Sequence, residues 1–299
     1  MTNFRISKSS GILLFAAAIW GFAFVAQRAG MEHVGPYTFN SIRFALGTLF
    51  LLPFIPILKF GNIELVTESP WHLMAGGFLS GIVLFAGASF QQVGIVYTTA
   101  GNAGFITSLY ILIVPFLGLI IGQKISVQTW IGVLLALPGL YFLSVHEKYY
   151  PAPGDGLVLA STVFFAVHVM IIGWFTRKTN PIKLSVIQFF TCSVLSGIVA
   201  LVKEEISFKP INEAIIPLIY GGVFSVGIAY TLQVVGQRNV KPAHAAMILS
   251  LESVFAVLGG WILLEEEFTL RKLAGCGLML SGILISLTKN SSDHTNIKP

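Results

Sequence analysis

Long apolar stretches recur along almost the whole chain and are separated by short polar segments. The first contains no charged side chain between Gly11 and Arg28. An α-helix rises about 1.5 Å per residue, so about 20 apolar residues cross the roughly 30 Å hydrocarbon layer of a bilayer. The pattern predicts an all-α integral membrane protein with ten transmembrane helices. We place them at about residues 11–30, 36–58, 71–92, 98–121, 127–146, 155–176, 181–202, 212–235, 242–264 and 269–288.

The composition indicates that lipid is the solvent of most of the chain. Hydrophobic residues make up 55% of the sequence and charged residues 10%, whereas a soluble domain carries roughly 25% charged residues. This is too little charge to cover a water-facing surface, and ten spans leave no room for a soluble catalytic domain. The net charge of +5 comes without a basic stripe, so we expect no nucleic-acid partner.

The charged loop residues predict the orientation in the membrane. If the N-terminus is inside, eleven of the 18 Lys and Arg residues fall in inner segments and six in outer segments. Positive residues are enriched on the cytoplasmic side, so we expect a multi-pass protein of the cell inner membrane with both termini in the cytoplasm. The first apolar stretch continues past Phe24 without a polar cleavage region, so we interpret it as a span rather than a signal peptide.

The two halves of the chain resemble each other in sequence. Three alignments carry this repeat: Gly11–Phe44 with Gly156–Phe189 at an offset of 145, Gln91 with Gln233 at 142, and Gly132 and Gly139 with Gly275 and Gly282 at 143. Each half, residues 1–148 and 149–290, then holds five spans, and residues 291–299 form a cytoplasmic tail. Because five is odd, the second half must enter the membrane from the opposite side. Inverted repeats are typical of secondary transporters, whose substrate sites lie near the midplane between the halves.

Several short motifs carry a resemblance to a known family. They are Ile19-Trp20-Gly21, Ser41-Ile42-Arg43-Phe44, Ser250–Ala256 with the following Glu265-Glu266, and Gly275 to Gly282 in the last span. Over about residues 10–290 the chain resembles the EamA branch of the drug/metabolite transporter superfamily. The resemblance implies export or exchange of metabolites, often amino acids, driven by a proton gradient or by the substrate's own gradient. In two departures, Ser253 stands where the family commonly has proline, and Tyr110 occupies the glutamate position of the first half.

Two charged residues lie well inside predicted spans, which is costly unless they face a cavity or a partner. Glu252 is ten residues past Pro242, about 15 Å along its helix and therefore near the midplane. A carboxyl group there can switch between neutral and ionised forms and couple proton movement to substrate release; the alternative is a permanently paired structural carboxylate. Arg43 stays protonated and can hold a carboxylate bidentately. It could bind a substrate carboxylate, pair with Glu252 or snorkel to the outer headgroups.

Neutral polar and aromatic residues complete the candidate site. The glutamines are either interfacial or line the site, the histidine is either bonded between helices or a ligand, and the asparagine either caps a helix start or binds substrate. Trp20 and Phe24 share one helix face at i, i+4, and Pro115 and Pro138 predict kinks in the fourth and fifth spans. The full set of substrate-binding and coupling candidates is Glu252, Arg43, Trp20, Phe24, Gln91, Asn102, Tyr110, His168, Tyr230 and Gln233.

Together these features predict a secondary transporter, an exporter or exchanger that moves small metabolites such as amino acids by alternating access, with proton coupling as a further hypothesis. The alternative is a non-transporting membrane protein or an intramembrane enzyme. The sequence has no H-E-x-x-H, G-x-S-x-G or P-loop motif, and its six histidines are scattered. We therefore expect no catalytic residue, metal or cofactor. The expected partners are a small-molecule substrate, the lipid bilayer and protons.

Overall fold

A computed structural model describes residues 7–57, 69–144, 152–263 and 267–287, and every regular element in these ranges is a helix. The first half contains α1 (Lys8–Gly30), α2 (Pro36–Leu51), α3 (Phe54–Ile57), α4 (Pro70–Val96), α5 (Ala100–Ser108), α6 (Tyr110–Ile120) and α7 (Val127–Ser144). The second half contains α8 (Asp155–Phe175), α9 (Pro181–Lys203), α10 (Phe208–Glu213), α11 (Ile215–Ile219), a π-helix (Tyr220–Tyr230), α12 (Thr231–Gln237), α13 (Pro242–Leu249), α14 (Glu252–Leu263) and α15 (Leu270–Ser286). The predicted tail at 291–299 lies outside the described residues.

Seven helical stretches are long and apolar enough to cross a membrane. They are Lys8–Gly30, Pro70–Val96, Ala100–Ile120, Asp155–Phe175, Pro181–Lys203, Ile215–Gln237 and Pro242–Gly259. The three remaining predicted positions hold shorter helices: α7 is apolar only over Val127–Leu143, and α2 and α15 have 16 and 17 residues. Length and composition of the described helices therefore support seven of the ten predicted spans.

Two predicted spans are broken near the middle, at equivalent positions of the two halves. Residues 98–121 form α5 and α6 with a break at Leu109, and residues 242–264 form α13 and α14 with a break at Ser250 and Leu251. At both breaks the backbone N–H donates to the carbonyl three residues back, at 3.1 Å from Leu109 and 3.2 Å from Leu251. Such tight turns replace the regular helical bonds. The two leucines are related by the offset of 142.

Neither of the two prolines for which the sequence predicts a kink lies at a break in its helix. Pro115 lies inside α6, and the interruption comes earlier, at Leu109. A proline ring meets the carbonyl four residues before it, here that of Ile111, so the bend falls in the turn that precedes the proline. Around Pro138 the α7 helix runs without interruption.

The eighth predicted span contains an 11-residue π-helix that the sequence pattern does not predict. It runs from Tyr220 to Tyr230 between α11 and α12. The equivalent stretch of the first half, at an offset of 142, lies within the regular helix α4. π-Helical turns are rare and frequently occur at functional sites. This one carries two side chains of the cavity described below.

The helices of the two halves pack against each other. α2 lies against α9, α4 against α8, α1 against α14, and α7 against α15. α7 and α15 approach at Gly132 and Gly282, where a Cβ atom on either glycine would lie 2.5 Å from the carbonyl oxygen of the other. Gly139 and Gly275 meet in the same way, with corresponding distances of 2.9 and 2.8 Å. Only residues without a side chain permit this backbone approach.

The outer surface of the described helices is apolar, unlike that of a soluble protein. Large apolar residues such as Trp71, Ile120 and Leu201 are exposed on the outside. Polar and charged side chains, among them Arg43 and Glu252, are buried between the helices. An apolar exterior that surrounds the buried polar groups is what a hydrocarbon solvent demands. Together with the seven apolar stretches, it indicates a multi-pass membrane protein.

Candidate functional site

A narrow cavity lies in the middle of the described helices, where the two halves meet. The first half lines it with α1, α2, α4 and the broken pair α5–α6. The second half lines it with α8, the π-helix, α12 and the broken pair α13–α14. A volume of about 40 Å³ is open to the centre of a water molecule, which is room for about three waters. The lining residues are Trp20, Ala23, Phe24, Gln27, Arg43, Gln91, Thr107, Tyr110, Phe165, His168, Val169, Ser225, Tyr230, Gln233, Leu249 and Glu252.

Nine of the ten candidate residues line this cavity. The exception is Asn102, which lies in the first turn of α5, where its backbone N–H donates to the hydroxyl of the N-cap residue Thr99 at 3.1 Å. Asn102 therefore lies at the helix start, but the residue that caps this start is Thr99. The other nine come from eight different helical segments, so the fold brings together side chains that are distant in sequence.

Arg43 is almost completely buried, with 2% of its side chain exposed. Its guanidinium lies 5.1 Å from the ring centre of Phe44 and 5.6 Å from that of Phe39, and its Nε atom has no hydrogen-bond partner. Within the described ranges, no carboxylate lies within 4.0 Å of it, so Arg43 and Glu252 share the cavity without forming an ion pair. The rings offset part of the cost of burying the cation, and snorkelling to the outer headgroups does not occur in this arrangement.

Glu252 begins α14, immediately after the break in its span, and is 3% exposed. The hydroxyl groups of Tyr110 and Ser108 interact with its carboxyl group. Its Oε1 atom and the Tyr110 hydroxyl nevertheless lack a partner in hydrogen-bonding geometry, so the contact between them is a close electrostatic one. Because helix N-termini favour negative charge, the position of Glu252 at the start of α14 offsets part of the cost of burying a carboxylate there.

Two serines shape the break that places Glu252. The Ser250 hydroxyl donates to the Met247 carbonyl and the Ser253 hydroxyl donates to the Ser250 carbonyl, both at 2.8 Å. Hydroxyls that bond back to the preceding turn bend helices. Ser253 therefore replaces the proline of the resemblance without loss of the interruption.

An aromatic wall closes one side of the cavity. Trp20 packs edge-on against Tyr230 with ring centres 4.6 Å apart, and its Nε1–H donates to the Ser225 carbonyl of the π-helix at 3.2 Å. His168 also meets Tyr230 edge-on at 6.0 Å. Phe24 is buried and approaches the backbone of α5 at Gly104. These rings give the cavity an apolar surface beside its charges.

The remaining polar candidates differ in how fully they are bonded. His168 shares a hydrogen bond of 2.9 Å between its Nε2 and Oε1 of Gln188 on α9. Gln91 Nε2 donates to the Thr107 hydroxyl at 3.0 Å, whereas Gln233 Oε1 has no partner. His168 thus both lines the cavity and forms a hydrogen bond to another helix. Gln91 and Gln233 are buried rather than interfacial.

Several lining residues were missed by the sequence reasoning. Gln27 is one of them, although Trp20, Phe24 and Gln27 follow the i, i+4, i+7 spacing of one helix face. Phe165 and Val169 are others, and the offset of 145 relates them to Trp20 and Phe24. Helical spacing and the repeat would have found these three. Ser225, by contrast, depends on the π-helix, for which the sequence pattern carries no signal.

The cavity can bind a small molecule that carries charge. A guanidinium offers a bidentate site for a carboxylate, a carboxyl group can accept an amine or a proton, and aromatic rings cover apolar parts of a ligand. Both charged groups retain an unpartnered atom. Buried polar groups without partners are costly, so a ligand that satisfies them gains free energy on binding.

Comparisons with known proteins point in one direction. A model of the EamA-like transporter family matches the chain twice, at residues 9–145 and 152–288. An uncharacterized transporter of Archaeoglobus fulgidus is 34% identical over 282 residues, which cover 94% of this chain and 86% of the relative. The uncharacterized transporter YoaV of Bacillus subtilis is 22% identical over 291 residues, covering 92% and 94%. A crystal structure shares the fold at 19% identity, with a TM-score of 0.77 over 95% of this chain and 97% of the other.

Proposed function

We propose, from the premise that the chain belongs to the EamA-like transporter family, that it is a secondary transporter that exports or exchanges small metabolites such as amino acids. It works by alternating access in the cell inner membrane, with both termini in the cytoplasm. The observation that carries this proposal is the central cavity, where an arginine and a glutamate are buried without pairing with each other. A resident structural pair would satisfy both charges, whereas a carrier must leave them available for its cargo.

The proposed architecture is ten membrane helices arranged as two inverted repeats of five. The double family match supports it, as do the equivalent breaks in the fourth helix of each half. The glycine contacts between α7 and α15 are reciprocal in the way that a two-fold axis requires: Gly132 meets Gly282 as Gly275 meets Gly139. α2, α7 and α15 are then short spans, which a locally thinned bilayer or flanking polar residues accommodate.

Each charged residue has a separate role in the proposed cycle. Arg43 holds the carboxylate of the substrate, because its planar fork matches that group. Glu252 exchanges a proton during the cycle, and the change in its charge alters the affinity for substrate, which couples transport to the proton gradient. Trp20 and Tyr230 pack against the apolar part of the substrate. The halves then rock about the cavity to expose it alternately to each side.

The test is transport by purified protein in proteoliposomes, with a panel of labelled amino acids and other small metabolites, with and without a pH gradient. We expect flux of at least one carboxylate-bearing compound that a pH gradient stimulates. For Glu252→Gln we expect flux that persists but no longer responds to the gradient. The matched control is Glu205→Gln, since Glu205 is an exposed carboxylate outside the cavity.

Two results would contradict the proposal in different parts. An unchanged response of Glu252→Gln to the pH gradient would remove the coupling role of Glu252 and leave transport intact. Binding of metabolites without any flux would favour a non-transporting membrane protein, and chemical conversion of a bound metabolite would favour an intramembrane enzyme.

A further inference from the structure

The N-terminus of α2 has no cap of its own. The N-cap residue is Gly35, which has no side chain to accept a hydrogen bond, and the first helical residue is Pro36. The first N–H groups of a helix have no partner within it and need one from elsewhere. Here the groups in question belong to Tyr37 and Thr38. They lie less than two turns before Arg43 on the same helix.

Glu204, at the end of α9 in the other half, supplies the missing cap. Its Oε1 accepts the Tyr37 N–H at 2.9 Å and its Oε2 accepts the Thr38 N–H at 2.7 Å. The carboxylate fills the space beside Gly35, where a Cβ atom would overlap it. Gly35 is therefore required by the approach of Glu204 rather than by backbone conformation, since its φ is −65°.

Further contacts join the two halves around the first turns of α2. Ser41 and Ser193 exchange hydrogen bonds, each hydroxyl donating to the backbone carbonyl of the other residue, at 3.1 and 2.8 Å. Close by, His33 Nδ1 lies 3.7 Å from Glu213 Oε2 across the same boundary between the halves. Glu204 is thus one of several contacts that join the halves around the start of α2.

The equivalent helix of the second half is capped in a different way. Asn180 takes the place of Gly35 at the offset of 145, and its own Oδ1 accepts the N–H groups of Ile182 and Lys183 at 2.9 and 3.2 Å. An asparagine at the N-cap is the usual solution. In the first half, a carboxylate from the opposite half of the chain takes the place of a local cap.

We propose that Glu204 is a clasp between the halves: its contact with α2 keeps this end of the cavity closed and positions Arg43, and it must release when this end opens. The inference rests on the proposed alternating access. If Glu204 were only a helix cap, any local cap on α2 would replace it. If it is a clasp, a local cap restores the helix and leaves the end open.

The chain offers a way to separate capping from clasping. Glu204→Ala removes the clasp, and Gly35→Asn in the same protein gives α2 the local cap that α9 has, in the space that the carboxylate vacates. Gln27→Cys serves as reporter, because Gln27 lines the cavity near the end where α2 begins. The two native cysteines are first replaced by alanine. Thiol labelling rates and thermal unfolding are measured on detergent-purified protein, with Glu205→Ala as the matched control.

We expect labelling of the reporter to become about tenfold faster or more in Glu204→Ala, since two charge-assisted hydrogen bonds are lost. In the double variant with Gly35→Asn, the thermal midpoint should return toward that of the parent, while labelling stays fast. Labelling that returns to the parent rate in the double variant would overturn the clasp, and so would unchanged labelling in Glu204→Ala.

Two features keep this test independent of the folding of Glu204→Ala and of the transport assay. Should Glu204→Ala fail to fold, Glu204→Gln keeps one acceptor oxygen and loses the charge, and the same comparison of labelling rates applies. The assay needs neither substrate nor flux. Normal transport with unaltered labelling therefore overturns the clasp alone, and altered labelling without transport in the proteoliposome assay overturns the proposed function alone.

Discussion

The first half of the molecule brings an arginine to the cavity where the second half has a glutamine, and the second half brings a glutamate where the first has a tyrosine. Arg43 and Gln188 are equivalent at the offset of 145, and Tyr110 and Glu252 at 142. Oε1 of Gln188 is bonded to His168, while Nε2 of Gln188 and Nε of Arg43 both have no hydrogen-bond partner. Each half thus contributes one charge, from a position that is neutral in its counterpart.

The helix turns and contacts around these residues, which we call the frame, are alike in the two halves. The tight turns at Leu109 and Leu251 are equivalent, and the contacts between α7 and α15 are reciprocal. Two copies of one charge facing each other across a narrow cavity would repel. Single opposite charges instead distinguish the two ends of a ligand. The comparison teaches that the two halves share the packing contacts that hold the fold, while the charged side chains at their boundary differ, as the proposed directional site requires.

The largest expected effect comes from making the two halves alike at Arg43. In Arg43→Gln, which copies Gln188, we expect uptake of carboxylate-bearing substrates to fall about 100-fold, because charge-assisted hydrogen bonds of about 1.5–3 kcal/mol are lost. Arg43→Lys should also be impaired, since lysine keeps the charge without the bidentate fork. Initial rates in proteoliposomes at matched protein levels measure both, with Arg177→Gln on an exposed arginine as control. Full activity of Arg43→Lys would remove Arg43 from the site.

A second prediction tests the symmetric frame. Gly132→Ala and Gly282→Ala should each destabilise the protein by about 1–3 kcal/mol, because the new methyl group would meet the backbone carbonyl of the other helix. The two effects should be similar, because each new methyl group would lie 2.5 Å from the carbonyl oxygen of the other glycine. Gly277→Ala, on the same helix as Gly282, adds its methyl group to open space and should be neutral or slightly stabilising. Thermal unfolding of the three variants in one detergent provides the measurement, and equal stability of all three would refute the packing argument.

The difference between frame and charges also explains what could be predicted from the sequence. Apolar stretches gave the helices and the repeat gave their equivalence, because both depend on local composition and spacing. The separation of Arg43 from Glu252 could not be predicted, since it depends on how each helix is rotated by its neighbours. The break at Leu109 and the π-helix were missed for a related reason, since both depend on backbone packing at the centre of the bundle. The bend was expected at Pro115, but the break lies six residues earlier. Asn102 was placed near the start of the fourth span, and it lies in the first turn of α5, away from the cavity.

The smallest expected effect concerns the two helix breaks. One precedes Pro115, and the other is formed by serines, so the halves reach the same interruption by different means. Ser253 is the second residue of α14, where the first turn tolerates a proline at the cost of one hydrogen bond, from the Ser253 N–H to the Ser250 carbonyl at 3.2 Å. We therefore expect Ser253→Pro to keep transport within about threefold of the parent, a change of less than about 1 kcal/mol. The matched control is Ala256→Pro, in the interior of the same helix, which should cost about 3 kcal/mol of stability. If Ser253→Pro proved as damaging as Ala256→Pro, the serine hydroxyls rather than the interruption itself would be what places Glu252, and the two halves would differ in their backbone as well as in their charges.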